Sequence, residues 1–332
     1  MPKILAIITL MASLIVVAPS VANSPTPNER KFAFSYEFEI TGIPSNAKLL
    51  EIWAPLPPSD ENQMIENFRI DSKLPYEAIT DPEYGNRLIN ITAVENIPRN
   101  LIVTMSFDVS RFEACKFTSG KASKLNDTRN LKRFLAADAL VPIDGEIAKE
   151  AKAIVKADMS DVEMIRALYD HLIQTMKYDK TGIGWGNGDA LYACDARKGN
   201  CTDIHSLFIG MARACGIPAR FVIGFPLPGN ESEGEIPGYH CWAEFYLSDL
   251  GWAPVDISEA IKRPEKKEYF FGSLDCDRIS FTTGRDIKIS GSAGQETLNY
   301  FIYPHILVDG KPFSGASYKF SFTDRDVSSN HR

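Results

Sequence analysis

Three side chains with the chemistry of acyl transfer stand in the middle of the chain: Cys201 in "KGNCTDIHSLF", His240 in "YHCWAEFYL" and Asp256 in "GWAPVDIS". Reading on from Cys201, apolar residues recur at Ile204, Leu207, Phe208, Met211 and Ala212, which is a helical period, and Gly216 followed by Pro218 stops it. Cys201 therefore falls at or near the first residue of a mostly buried helix. Free backbone N–H groups and the helix dipole at such an end favour an anion, and the anion a cysteine supplies is the nucleophilic thiolate. Taken alone, the stretch would also suit a buried structural thiol.

The period of two along "YHCWAEFYL" puts His240, Trp242, Glu244 and Tyr246 on one face of a strand. Asp256 lies one hairpin further on, after the turn "SDLG", so two antiparallel neighbours can bring His240 and Asp256 side by side. A thiolate at a helix start, an imidazole on a strand and a carboxylate on the next strand form a generalised triad, in which the acid orients the base and the base activates the nucleophile.

The run Gly199-x-Cys201-x-Asp203, then "ACGIPAR", then His240-x-Trp242-x-Glu244, then "GWAPVD" resembles the transglutaminase-like superfamily over roughly residues 160–260. The resemblance implies an α+β fold with a papain-like core of helices packed on an antiparallel sheet. It implies catalytic roles for Cys201 as nucleophile, His240 as general base and acid, and Asp256 as the orienting group. The chemistry that follows is attack on an amide carbonyl, protonation of the leaving amine, and a thioester resolved by a second nucleophile. Water as that nucleophile makes the protein a cysteine peptidase or amidase; an amine makes it a cross-linking protein-glutamine amine transferase. The flanking loops "GWGNGDA" and "PGNESEGE" are Gly-rich and polar, which suggests an open, wet cleft and favours hydrolysis. Transfer would need a walled channel, for which Trp185, Trp242 and Trp252 are candidates. The oxyanion donor expected is the backbone N–H of Cys201, with Trp185 as the side-chain alternative. Asp203 and Glu244 read as structural acids, and calcium activation does not carry over, because the chain lacks the further domains that accompany it. A catalytically inactive binding module on the same fold is the other alternative.

Around these residues the chain divides by pattern. Residues 1–22 read as a signal peptide ending Ser20-Val21-Ala22, a small-x-small cleavage site, with an uncleaved anchor as the lesser reading. After a linker, "KFAFSYEFEI", "LLEIWAPLPP", "RLINITAV" and "NLIVTMSFDV" are strand patterns that predict a β-sandwich-like domain over 29–112. A catalytic domain is expected over 113–272 and a C-terminal β extension over 273–332. Within the former, Ser160 and Glu163 form a capping box before a helical apolar stripe, on which His171 reads as a surface residue. The polar segment 226–239, which leads into His240, reads either as a lid or as a solvated connection.

Composition narrows the partners. A net charge of −7, with 43 acidic against 36 basic residues, argues against nucleic acid. With 44% hydrophobic and 24% charged residues the chain is globular, and past the leader no segment approaches the ~20 apolar residues of a bilayer span. An exported protein, periplasmic or extracellular, is expected, acting on a peptide or protein substrate and free of the membrane after signal cleavage. Of the six cysteines, Cys194 and Cys241 flank the candidate site and form the pair considered for a bridge. Cys194, Cys201, His205, His240 and Cys241 include zinc-ligand types, but no C-x2-C spacing occurs, so neither metal nor cofactor is expected.

Overall fold

The alternation in β1 (Glu29–Ile40) buries Phe32, Phe34, Tyr36, Phe38 and Ile40 on one face, as a half-buried strand must. In the computed structural model, which describes residues 27–119, 131–292 and 294–325, this strand begins a run of seven. The others are β2 (Leu50–Leu56), β3 (Gln63–Ser72), β4 (Glu77–Thr80), β5 (Arg87–Ala93), β6 (Leu101–Phe112) and β7 (Ala114–Cys115). The expected signal peptide lies outside the described residues.

Helices α1 (Lys116–Ser119), α2 (Gly145–Ile154) and α3 (Asp161–Thr175) follow, then β8 (Lys177–Tyr178), α4 (Ala190–Ala196), β9 (Lys198–Gly199) and α5 (Cys201–Ala214). The capping box of α3 is present, with the Ser160 N–H donating to Glu163 Oε2 at 2.8 Å. His171, on the same helix, is half-buried and meets Glu150 at 2.8 Å. Every residue of α5 from Cys201 to Arg213 is buried, because helices pack on one side and strands on the other. Strands β10 (Ala219–Pro226), β11 (Glu233–Glu235), β12 (His240–Leu247) and β13 (Gly251–Val255) lead to α6 (Ile257–Lys262). The chain closes with β14 (Ser273–Leu274), β15 (Arg278–Thr283), β16 (Ile287–Gly291), β17 (Gly294–Leu298), β18 (His305–Val308), β19 (Lys311–Pro312) and β20 (Ala316–Asp324).

The central sheet has the order β13-β12-β10-β15, antiparallel throughout, and α5 lies against β10 and β12. This helix-on-sheet core is the α+β, papain-like arrangement. Two further antiparallel sheets, β11-β20-β1-β6-β3 and β19-β18-β2-β5-β4, share its apolar cluster. Residues past 273 are woven into both parts: β15 joins the central sheet, β18 pairs with β2 and β20 with β1. The edges of β1, β2 and β10 would otherwise present unpaired backbone groups.

The outer edge of β15 is covered without a strand. Gln63 receives the Ser280 N–H at 2.9 Å and donates to the Ser280 carbonyl at 3.0 Å. Asn86 does the same for Thr283, at 2.8 Å in each direction. Two side-chain amides thus stand in for a fifth strand. The segment 226–239, read as lid or connection, is held: β11 pairs with β20, and Arg30 donates to the Pro228 carbonyl at 2.9 Å and the Glu231 carbonyl at 2.7 Å.

Candidate active site

Asn200 caps α5 in an extended conformation, and its Oδ1 accepts the N–H groups of Thr202 at 2.9 Å and Asp203 at 3.3 Å. Asp203 closes the box by accepting the Asn200 N–H at 3.0 Å. The Cys201 N–H has no acceptor among the described residues, and it points from the positive end of the helix dipole. Asp203, wholly buried, also accepts Gly186 N–H at 2.7 Å and Gly188 N–H at 2.8 Å, so one carboxylate ties the loop before α4 to the start of α5.

His240 opens β12. The hairpin register pairs Ala243 with Val255, which puts Asp256, the cap of α6, at the height where β12 begins. His240 Nε2 lies 2.7 Å from Asp256 Oδ2. A carboxylate facing Nε2 requires the proton there, which leaves Nδ1 for the Cys201 thiol, against which the ring lies. The structure therefore brings all three sequence-selected residues together.

Their electrostatics follow from burial and contact. A hydrogen bond from the neighbouring Cys241 thiol, working against burial and with the help of His240, holds the Cys201 thiol well below the usual thiol range. Cys241 itself is pushed up by burial. Burial opposes charge on His240, but the charge and hydrogen bond of Asp256, with Cys201, raise it to about 9. Burial also works against an ionised Asp256, yet the charge and hydrogen bond of His240 and the charge of Arg278 keep it well below the usual carboxylate range. A thiolate beside an imidazolium is the form this arrangement favours, and it can attack a carbonyl and protonate a leaving group.

Three residues outside the sequence reading of the site complete its support. His205 donates from Nδ1 to the Cys201 carbonyl at 2.8 Å and accepts the Ile257 N–H on Nε2 at 3.0 Å. With a carbonyl on one nitrogen and an N–H on the other it must be neutral, and burial lowers its pKa accordingly. The i, i+4 spacing from Cys201 was visible in the sequence, but its partner across the chain was not. Cys241 lies on the α5 side of β12, its sulfur 3.8 Å from His205 Nδ1. Arg278 donates to Asp256 Oδ2 at 2.8 Å; the only signal for it was a lone charge opening a strand of otherwise uncharged residues.

Several expectations are corrected. Cys201 is 3% exposed and His240 5%, so the open cleft is not there. The glycines at 182, 184, 186 and 188 all have positive φ, and they serve to fold the loop onto Asp203. Tyr300 and Tyr239 reinforce that closure, the first donating to the Gly186 carbonyl at 3.3 Å and the second accepting from Asn200 Nδ2 at 3.3 Å. Trp242 and Trp252 do not wall a channel at Cys201; they face a cavity of about 260 Å³ shared with Arg111, Arg220 and Glu244. Trp185 sits half-buried in the glycine loop. Cys194 and Cys241 are not bridged to one another: Cys194 donates to Glu150 Oε2 at 3.1 Å, and Cys241 lies beside His205. Glu244 pairs with Arg220 at 2.6 Å, a structural contact as expected. Among the described residues no three His, Cys, Asp or Glu side chains are grouped to hold a metal ion.

Residues 148–257 match the model of the transglutaminase-like superfamily, and the helix and strands that position Cys201, His240 and Asp256 lie within that match. An uncharacterized protein of Haemophilus influenzae is 26% identical over 353 residues, spanning 92% of this chain and 95% of its own. A solved structure of a candidate cysteine protease from Cytophaga hutchinsonii covers 90% of this chain and 98% of its own, with a TM-score of 0.56 at 17% identity. The two share a fold that includes the strands on both sides of the core. The periplasmic domain of TgpA from Pseudomonas aeruginosa covers 76% of this chain and 98% of its own, with a TM-score of 0.38 at 17% identity.

Proposed function

We propose that the protein is a cysteine hydrolase that cleaves an amide bond of a peptide or protein substrate through a thioester on Cys201. The observation that carries this reading is the alignment of Cys201, His240 and Asp256, with His240 turned so that Nε2 meets Asp256 and Nδ1 is left for the thiol. In the first half-reaction the thiolate attacks the carbonyl carbon, and the Cys201 N–H receives the developing oxyanion. The tetrahedral intermediate collapses as the His240 imidazolium protonates the departing amine. In the second, neutral His240 takes a proton from water, the hydroxide attacks the thioester, and the thiolate leaves with a carboxylic acid as product.

Water is favoured over an amine as the resolving nucleophile because the tryptophans that could wall an amine channel, Trp242 and Trp252, line a separate cavity instead. Export is inferred from the N-terminal apolar leader and its small-x-small end, and a mature protein starting at Asn23 would support it. The test of the reaction is a glutamine-containing peptide incubated with a labelled primary amine. Release of ammonia or of a cleaved peptide, abolished in a folded Cys201→Ala variant, is the expected result. Amine incorporation outrunning hydrolysis at millimolar amine would make the protein a transferase, and turnover surviving in Cys201→Ala would remove the thioester.

A further inference from the structure

Arg278 begins β15, beyond the span of the family match, yet its guanidinium reaches the centre of the site. Nη1 donates to Asp256 Oδ2 at 2.8 Å, the same oxygen that His240 Nε2 meets at 2.7 Å. Nε donates to Asp275 Oδ1 at 3.0 Å, and the guanidinium lies 5.2 Å from the centre of the Trp242 ring. Asp256 Oδ1 is taken by the Ser258 hydroxyl and the Glu259 N–H, each at 3.0 Å. Both oxygens are therefore engaged, and the carboxylate cannot rotate without breaking a contact to a charged group. Arg278 is 2% exposed and Asp256 0%, so water screens neither charge.

We propose that Arg278 is a positioning residue: by sharing Oδ2 with His240 it fixes the carboxylate and limits the negative charge that the imidazole meets, and so sets the upper pH limit of the working thiol and imidazole pair. This rests on the roles given above to Cys201 and His240. The need is chemical. The ring must hold its proton to expel an amine and must give it up to activate water, and an unshared buried carboxylate would make the second step hard. The titratable and charged groups around His240 and its two partners are Cys201 and His205 from α5, its chain neighbours Tyr239 and Cys241, Asp256 and Glu259 at α6, Tyr178 on β8, and Arg278 on β15, which Asp275 holds from its other side. Of these, Arg278 is the cation that donates to the same oxygen as His240. An arginine serving only to fill space would be satisfied by Asp275 alone.

The test is a titration of the His240 Cε1 signal by NMR in the full chain labelled at its five histidines, with the pH dependence of Cys201 alkylation measured in parallel. Removing the cation in Arg278→Met should raise the His240 midpoint by about one pH unit. Arg278→Lys, which keeps the charge, should titrate close to wild type. Asp275→Asn should lower the midpoint, because the guanidinium then directs its charge wholly at Asp256. An unmoved midpoint in folded Arg278→Met, or a Lys variant that shifts as far as the Met variant, overturns the proposal. Should the Met variant not fold, an unmoved midpoint in Asp275→Asn overturns it equally. None of these readouts requires turnover, so they fail or hold separately from the amide hydrolysis tested with Cys201→Ala.

Discussion

At the scale of single residues, the site is a chain of donors and acceptors with no slack, and substitutions within it act on stability as well as rate. Asp256→Asn would leave Arg278 with Asp275 as its one charged partner in a buried setting, and a cost of about 3 kcal/mol is expected in denaturant unfolding. An unchanged midpoint would show that Arg278 finds another partner. Rate should follow the imidazolium. With His240 raised to about 9 and the Cys201 thiol lowered, the protonated ring and the thiolate coexist at neutral pH. Turnover should hold across neutral pH and fall as pH passes about 9, where the ring loses the proton that the leaving amine needs. Iodoacetamide should modify Cys201 readily at pH below 7; alkylation that rises only near the ordinary thiol value of ~8.5 would show an unactivated cysteine. Cys201, His240 and Asp256 were legible in the sequence because each sits at the end of a periodic element. Arg278 was not, because nothing local marks the partner of a buried arginine.

At the scale of elements, α5 was legible from its apolar period and its Gly-Pro stop, and the β12–β13 hairpin from alternation and turn chemistry. The closure of the glycine loop was not. Glycine in a polar stretch reads as looseness, whereas here its positive φ values let the loop wrap Asp203, whose oxygens collect N–H groups from Gly186, Gly188 and Asn200. The approach is close enough that a Cβ on Gly199 would lie 2.5 Å from Asp203 Cβ. Gly199→Ala should therefore displace Asp203, cost about 1–3 kcal/mol, and slow the reaction through the loop it releases. Full activity and unchanged stability in that variant would mean that the loop does not depend on this contact. His205 links α5 to α6 in the same manner. Replacing it with Leu strands the Ile257 N–H, while the Cys201 carbonyl keeps its bond within the helix, at about 1–3 kcal/mol, measurable by thermal unfolding.

At the scale of the whole molecule, the strand patterns of the N-terminal region were legible, but their partners were not, since pairing between residues as far apart as Phe34 and Phe322 leaves no local trace. The consequence is that the core recognised by its motif does not contain its own edge. Gln63 and Asn86, from the N-terminal strands and turns, complete the hydrogen bonding of the strand that carries Arg278. Removing residues 29–112 should accordingly yield no soluble folded protein rather than a minimal enzyme, and a monomeric active fragment would contradict this. The two amides also have a bearing on life in a crowded compartment. A strand edge with free N–H and C=O groups is a template on which another chain can add itself, and these side chains occupy the template from within. Gln63→Ala combined with Asn86→Ala should leave a protein whose light scattering rises on standing at high concentration, with strand-rich assemblies forming before the fold is lost.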